Sequence, residues 1–402
     1  MQGTASPMNP AARPASWPVH DISTSDTAEE GIALCLSGGG YRAMLFHTGA
    51  LWRLNEAGFL PQLERVSSVS GGSIAAGVLG SRWSELGFDA AGVATNFRAL
   101  VVQPIRALAS VTIDIGSVLK GIMLPGDIAS RVVTELRSRL FGDRTLQDLP
   151  AGRPRFVINA TSLQSGVLWR FSRPYAWDYR VGKIPEPRIL LARAVAASAA
   201  FPPLLSPVRL DLRDVEFEPQ TGEDLQQPPY TDRAVLADGG VYDNLGLETA
   251  FKRYRTILVS DGGGQSKPDA DPPGDWPRQM LRVLRIIDSQ VRSLRKRQLI
   301  DAYETGLRRG AYWGIGTDIA NYQGVEAPLP CPHAATMRLA HMATRLAALK
   351  PVIQEQLVNW GYGVCDAALR CHVDDSIPQP SAFPYPTAGV GARESAAVGL
   401  AT

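Results

Sequence analysis

The chain has 402 residues, of which 45% are hydrophobic, and its formal net charge is +2. This length suits one large domain or two small ones, and the apolar content is enough for a sizeable core. The nearly balanced charge gives no reason to expect nucleic acid or an acidic molecule as a partner.

No uncharged apolar run approaches a membrane span, which needs roughly 20 residues. The apolar stretch 111–124 is short and carries Asp114 and Lys120. We therefore expect a protein that is soluble or lies on a membrane without crossing it. Residues 1–30 are rich in Pro, Ser, Thr and Ala and lack the apolar core of a signal peptide. They predict a disordered arm and a cytoplasmic or peripheral-membrane location.

The first structured segments repeat one pattern, a strand that enters a helix through glycines. A buried-strand pattern over 31–37 meets three glycines and then a helix pattern over 42–57. A second strand pattern, 65–69, leads into another glycine turn and another helix. Two such units in succession predict an α/β sheet with largely parallel strands.

Further along the chain the pattern changes several times. Residues 83–140 are helical with interruptions and predict a helical cap. Strand patterns return at 155–161 and 167–172, a helix over 188–200 ends before a proline, and strands over 233–240 and 256–264 end in glycines. We expect a mostly helical C-terminal part over 275–372 and a loose tail over 373–402.

The first glycine turn, SGGGYR (Ser37–Arg42), is a candidate anion-binding loop. Bare backbone N–H groups at a helix N-terminus bind either a phosphate or the oxyanion of an acyl-transfer intermediate. No GK[ST] follows and the spacing is not GxGxxG, so the common nucleotide-binding motifs are absent. A tight turn that needs glycine only for its shape stays an alternative.

The second turn, SVSGG (Ser68–Gly72), has the small-x-Ser-x-Gly form of a nucleophile elbow around Ser70. Small residues at the outer positions avoid collisions in a strained strand-to-helix turn. Gly71 adds an N–H beside the serine, where the helix N-terminus favours negative charge. Because the pattern is short, a structural turn stays open as the alternative.

The segment ADGGVYDNLG (Ala237–Gly246) places Asp238 at the end of a strand pattern, before two glycines. Ligands of open α/β sheets gather at the carboxyl edge of the strands, so Asp238 and Ser70 are expected to meet in one crevice. Asp261, in the similar segment SDGGG, is a rival, and a plain Asp-Gly turn is the structural alternative.

Taken in order, GGGYR, SVSGGS and ADGG resemble the motifs of the patatin-like phospholipases, a family related to the catalytic domain of cytosolic phospholipase A. Segments 141–150, 160–172 and 194–208 are also similar to parts of that family, so the resemblance spans about 31–264. It implies a three-layer sandwich with a central, mostly parallel sheet, helices on both faces and a helical cap, within a domain over 31–372.

The resemblance also implies a serine acyl hydrolase that cleaves ester bonds of lipids or phospholipids through a Ser–Asp dyad. Ser70 matches the nucleophile, and Asp238 matches the base. Gly38, Gly39 and Gly40 match the oxyanion loop. The implied partner is a lipid substrate, with contact to a membrane surface, and no metal or organic cofactor is implied.

The resemblance also bears on Arg42, after the glycine loop, and on Ser68, at the start of the elbow. Arg42 stands where the family has lysine or arginine, and would hold the glycine loop or a lipid phosphate. The family's elbow often begins with glycine, whereas Ser68 occupies that place here.

The histidines offer a competing hypothesis, a Ser–Asp–His esterase. His333 and His341 follow Asp238 in the chain, as the order of such a triad requires. His47, on the first helix, is expected to pack rather than react. No HExxH motif or Cys/His cluster suggests a metal. A third hypothesis is a lipid- or anion-binding protein that uses the glycine loops without catalysis.

The segment 278–300 has the pattern of a basic amphipathic helix. Its apolar residues recur at spacings of three and four, and its basic residues lie mostly away from them. The apolar stripe comprises Met280, Leu284, Ile287, Val291 and Leu294. Such a helix lies either on an anionic membrane surface or against the sheet with its polar face in water.

Overall fold

A computed structural model describes residues 28–113, 125–203, 205–264 and 268–391. The predicted arm lies almost entirely outside these ranges, as do residues 114–124 of the predicted cap and 392–402 of the predicted tail. The limits of arm, domain and tail stay predictions.

Ten strands of the described ranges form one sheet. In chain order they are β1 (Glu29–Leu36), β2 (Leu63–Val69), β3 (Arg155–Ser162), β4 (Leu168–Phe171), β5 (Tyr175–Asp178), β6 (Gly182–Pro185), β7 (Val208–Asp211), β8 (Arg233–Asp238), β9 (Tyr254–Asp261) and β10 (Arg309–Gly314). The spatial order is β10-β9-β1-β2-β3-β4-β5-β6, with β8 paired to β3 and β7 paired to β8.

The helices of the described ranges flank this sheet. In chain order they are α1 (Gly40–Glu56), α2 (Gly71–Ser81), α3 (Gln103–Ala109), α4 (Pro125–Leu136), α5 (Leu191–Ser198), α6 (Gly240–Asp243), α7 (Glu248–Phe251), α8 (Trp276–Glu304), α9 (His333–Ala340) and α10 (Pro351–His372). None of these helices is long and apolar enough to cross a membrane.

The sheet is mixed. Strands β10, β9, β1, β2 and β3 run parallel, whereas β4 to β8 enter through antiparallel pairings. The predicted α/β class is therefore confirmed, but the parallel part is only the half that carries the first two glycine turns. The antiparallel half consists mainly of short strands joined by short connections, which a βαβ pattern does not describe.

Helices cover both faces of the sheet, as expected. Leu34 and Leu36 of β1 point into the larger core, with α1, α2 and α10. The alternate residues Ala33 and Cys35 point into a smaller core that α7 and the C-terminal half of α8 close. Because neighbouring residues of a strand face opposite sides, β1 is buried on both faces, which explains its continuous apolar run.

The segment predicted as a cap is helical where it is described. It contains α3, α4 and single π-helical turns at Arg98–Val102 and Arg137–Phe141. Phe97, Val101 and Ile105 are buried in the same core as α1 and α2. These helices thus help to form the main core, and their role as a cap stays a prediction.

The C-terminal part differs from a purely helical one. It contributes β10, which pairs with β9 at the edge of the sheet. Residues 374–391, within the expected loose tail, also pack. Phe383 and Val390 are buried, and the Asn359 amide donates to the carbonyls of Tyr385 and Gly389 at 2.8 and 2.7 Å. This part of the chain is held by α10 rather than free.

Candidate active site

Ser70 occupies the single residue between β2 and α2. Its φ of 52° and ψ of −119° are a strained conformation for a residue with a side chain. This is the geometry of a nucleophile elbow, in which a sharp strand-to-helix turn projects the serine side chain away from the strand. Gly72 is required there, because a Cβ would lie 2.4 Å from the carbonyl oxygen of Leu36. The predicted elbow is therefore present in the backbone.

Ser198, which the sequence analysis did not single out, fixes the elbow from the end of α5. Its Oγ accepts a hydrogen bond from the N–H of Ser70 at 2.9 Å and donates to the carbonyl of Asn159 at 2.6 Å. The Oγ of Ser73 lies 2.8 Å from the Oγ of Ser198. The strained turn is thus tied to β3 and to α5. All four residues are buried.

Asp238 reaches Ser70 through the register of the sheet. Because β8 is antiparallel to β3, Asp238 pairs with Ala160, next to Asn159, whose partner on β2 is Val69. Asp238 thus lies at the end of the strand next to β3, close enough for the Ser70 side chain to influence the pKa of its carboxyl group. The register brings Asp238 close to the elbow, although β8 does not belong to the parallel strands on which the expectation rested; that the two side chains act together stays a prediction.

The carboxylate of Asp238 is buried and has few partners. Burial raises the pKa of Asp238 to about 7, and the nearby charge of Asp288 adds to the rise. The nearby Ser70 side chain and a hydrogen bond from the N–H of Gly240, at 2.7 Å, lower the pKa and so oppose this rise. A carboxyl group with such a pKa can take up and release a proton near neutral pH.

The glycine loop lies against the elbow. A Cβ on Gly71 would sit 2.2 Å from the carbonyl oxygen of Gly40, so the two turns touch through their backbones. Gly40 has a φ of 62°, which favours glycine. Within the described ranges, the N–H groups of Gly39 and Gly40 have no hydrogen-bond acceptor. Two bare donors therefore stand beside Ser70 at the start of α1.

Gly38 differs from its two neighbours. Its N–H donates to Asn244, to the backbone oxygen at 3.0 Å and to Oδ1 at 3.1 Å. The Asn244 amide nitrogen lies 3.4 Å from a carboxylate oxygen of Asp288, on α8. Asn244 and Asp288 thus link the glycine loop to α8, and neither was foreseen from the sequence.

Arg42 is buried and holds two segments against the glycine loop. Its guanidinium donates to the carbonyl of Gly262 at 3.2–3.3 Å, to the hydroxyl of Thr344 at 3.0 Å, and to the carbonyl of Met342. Burial lowers the pKa of Arg42 to about 10, and the charge of Arg292 adds to this. These contacts favour the loop-holding alternative over direct contact with a lipid phosphate.

Asp261, the rival of Asp238, is engaged elsewhere. Its carboxylate accepts hydrogen bonds from the N–H of Gly263 at 2.9 Å and from the Tyr312 hydroxyl at 2.8 Å. Burial would raise the pKa of Asp261, but the charge of Arg292 and these hydrogen bonds outweigh it and keep the pKa below its ordinary value. In the described ranges it makes no hydrogen bond with Ser70.

Among the described residues, none of the candidate histidines forms a hydrogen bond with Ser70 or Asp238. His47 is buried, with Nδ1 2.8 Å from the Oγ of Ser260 and Nε2 2.9 Å from the carbonyl of Ser37. Burial lowers the pKa of His47 to about 4, so it is neutral and structural. His333 and His341 are exposed at the two ends of α9 and bond neither Ser70 nor Asp238. Within the described ranges, no three His, Cys, Asp or Glu side chains cluster in a way that could hold a metal.

One family model matches the chain. A model of the patatin-like phospholipase family matches residues 34–251, which is more than half of the chain. The solved structure of human GIVD cytosolic phospholipase A2 is similar at 13% identity and a TM-score of 0.42, and the match covers 85% of this chain and 58% of that one. VipD from Legionella pneumophila is similar at 18% identity and a TM-score of 0.35, with 86% and 67% covered. This chain thus matches less than two thirds of the length of the human protein. Among proteins with curated descriptions, no sequence matches.

Proposed function

The chain belongs to the patatin-like phospholipase family, and from that premise we propose that it is a serine acyl hydrolase of lipid esters. The proposed substrates are the carboxylic esters of phospholipids and lysophospholipids. The observation that carries the proposal is the pairing of Ser70, in a strained turn, with the buried carboxylate of Asp238. A structural aspartate at a turn gives no reason for its carboxylate to lie next to the elbow serine, 168 positions away in the chain.

In the first step, Ser70 Oγ attacks the acyl carbonyl carbon of the substrate, and its proton passes to Asp238. The carbonyl oxygen becomes an oxyanion in the tetrahedral intermediate. When the intermediate collapses, the ester C–O bond breaks, and the leaving alcohol takes the proton from Asp238. An acyl group is then bound to Ser70 as an ester. A pKa near 7 suits both halves of this proton transfer.

In the second step, water attacks the acyl-enzyme. Asp238 takes a proton from the water, a second tetrahedral intermediate forms, and Ser70 leaves with that proton. The products are a fatty acid and the free enzyme. The same dyad thus serves as base and acid in both steps, which is why no histidine is needed.

Gly39 and Gly40 are the proposed oxyanion donors, because their N–H groups lack acceptors and lie beside the elbow. The N–H of Gly71 adds a third donor at the start of α2. Gly38 and Arg42 are proposed as positioning residues of this loop, since the Gly38 N–H already binds Asn244 and Arg42 binds the segments behind the loop.

The proposal is tested with purified protein and a panel of phospholipids, lysophospholipids, glycerides and short-chain esters. We expect fatty acid release that Ser70→Ala abolishes, while Ser81→Ala, at the other end of α2, retains it. A fluorophosphonate should label Ser70 in the folded protein and should fail with Ser70→Ala.

Two results separate this proposal from its alternatives. Loss of activity on replacing both His333 and His341, with the fold intact, would favour a triad esterase. Absence of both hydrolysis and labelling in folded protein would favour a non-catalytic lipid- or anion-binding role.

A further inference from the structure

The N-terminal half of α8 carries an exposed apolar stripe. Trp276 is 75% exposed, Ile287 53% and Met280 50%, and Val283 and Leu284 are also more than 40% exposed. Residues 276, 280, 283, 284 and 287 follow the three- and four-residue spacing of one helix face. Large apolar side chains grouped in this way mark an interaction surface.

The N-terminal half of α8 has no buried residue. The buried residues of α8 are Arg292, Leu299 and Ala302, all in its C-terminal half. On the helical wheel, Ala302 lies on the same side as Leu284, since each residue advances about 100°. The stripe is therefore exposed because this half of α8 extends beyond the half that packs. The interpretation of α8 as an ordinary helix that buries its apolar stripe against the sheet is therefore wrong for this half.

Three arginines accompany the apolar stripe. Arg278, Arg282 and Arg285 lie between 276 and 287, and no acidic residue does. Arg278 forms an ion pair with Asp275, the residue that caps the helix, and Arg285 is exposed. An apolar stripe beside three arginines matches the acyl boundary and the phosphates of an anionic bilayer.

The stripe is also connected to the candidate active site. Asp288, the residue after Ile287, lies 3.4 Å from the Asn244 amide, which holds Gly38. Arg292, one turn further, donates to the carbonyl of Gly264 beside Arg42. The stripe of exposed apolar residues in the N-terminal half of α8 therefore ends at Ile287, immediately before the residues whose contacts support the glycine loop.

We propose that the apolar stripe of α8 docks on an anionic lipid bilayer. Trp276, Met280 and Ile287 enter the boundary between headgroups and acyl chains, and the arginines contact lipid phosphates. Binding itself does not depend on catalysis, whereas its use, delivery of lipid to Ser70, rests on the proposed function.

The experiment measures sedimentation of the full chain with vesicles, in a Ser70→Ala background so that the lipids stay intact. The vesicles are phosphatidylcholine alone or with phosphatidylglycerol. We expect binding to the anionic vesicles that weakens at high salt. The double variant Leu284→Asp/Ile287→Asp should bind at least tenfold more weakly. The matched control Val352→Asp, at an apolar position 46% exposed on α10, should stay within twofold.

A second measurement follows Trp276 directly. Its fluorescence should shift to the blue on addition of anionic vesicles, and Trp276→Phe should remove most of that shift. Circular dichroism establishes that the variants are folded. Turnover of a short soluble ester by the double variant, made with Ser70 intact, should match that of the unmodified protein.

Several outcomes overturn the proposal. They are absence of vesicle binding, equal binding by the double variant, or self-association through the stripe that excludes vesicles. Vesicle binding without ester hydrolysis would refute the proposed function and leave the docking surface standing. Hydrolysis of soluble esters without vesicle binding would refute the docking surface and leave the proposed function standing.

Discussion

The side chain of Asn244 accepts a hydrogen bond from the N–H of Gly38 at 3.1 Å, across 206 positions of the chain. Because Asn244 follows Asp238 by six residues, the segment that supplies the proposed base also fixes the glycine loop. A Cβ on Gly38 would lie 2.3 Å from the Asn244 Oδ1, so the two residues are in close contact. The Asn244 side chain therefore helps to fix the glycine loop relative to the segment that carries Asp238.

We predict that Asn244→Ala lowers kcat on a soluble short-chain ester roughly tenfold to hundredfold, because a displaced loop misaligns its donors. KM should change much less. The matched control is Asn96→Ala, since the Asn96 amide likewise accepts from a loop N–H, that of Gly87 at 3.0 Å, away from the site. If both variants lost activity equally, the loss would reflect stability rather than position.

The pKa of Asp238, about 7, predicts the pH dependence of hydrolysis. Only the ionised carboxylate accepts the Ser70 proton, so kcat/KM should rise about tenfold per pH unit below 7 and level off above it. The measurement is kcat/KM on a soluble ester from pH 5 to 9. A profile that is flat across pH 7 would contradict the assignment of Asp238 as the base.

The pH profile of kcat/KM also tests whether Asp288, on α8, raises the pKa of Asp238. Asp288 raises the pKa of Asp238 by charge, so Asp288→Asn should move the acid limb to lower pH. The asparagine side chain can still bond Asn244. Asp301→Asn, at an exposed position near the end of α8, serves as the control and should leave the profile in place.

The sequence predicted Ser70 and Asp238 because both stand in short local motifs whose glycines are needed for the turns. It did not predict Ser198 or Asn244. Their side chains act only after β3, α5 and β8 have assembled, and a serine in a small-residue helix has no local signature. β10 was missed for a related reason: six residues with two glycines resemble a loop until β9 lies beside them.

The expectation of a mostly parallel sheet failed at β8 for a similar reason. A strand pattern that ends in Asp-Gly-Gly is the same whether its neighbour is parallel or antiparallel. The direction of β8 is set by its pairing with β3, a distant segment of the chain, in the ladder that pairs Thr161 with Ala237 and Ala160 with Asp238. Such long-range pairing is not encoded in local periodicity.

Asp238→Asn should stabilise the protein, in a pH-dependent way. Because burial raises the folded-state pKa of Asp238 above its unfolded value, its contribution to stability is present in acid and is lost as pH rises through 7. An asparagine at this position carries no charge, so the variant does not lose this stability as the pH rises. We expect a gain of about 2–4 kcal/mol in the free energy of unfolding above pH 8. Little of that gain should remain at pH 4.

Urea denaturation at the two pH values measures this gain, and hydrolysis should be abolished at both. A destabilised Asp238→Asn variant at pH 8 would show that the carboxylate is a structural partner. Asp261→Asn is the informative comparison. Its pKa is held below the ordinary value, so removal of its charge should destabilise the protein near neutral pH.

Ser198→Ala tests whether the elbow needs its support. The N–H of Ser70 would lose its partner in a buried environment, which costs about 1–3 kcal/mol of stability. Because Ser70 has a strained φ, the turn should relax, and kcat together with the rate of fluorophosphonate labelling should fall roughly tenfold or more. Ser81→Ala removes a hydroxyl that bonds only the Val78 carbonyl in the last turn of α2, and should leave both rates unchanged. Equal labelling of Ser70 in the Ser198→Ala variant would show that the strand and helix hold the elbow without this hydrogen bond.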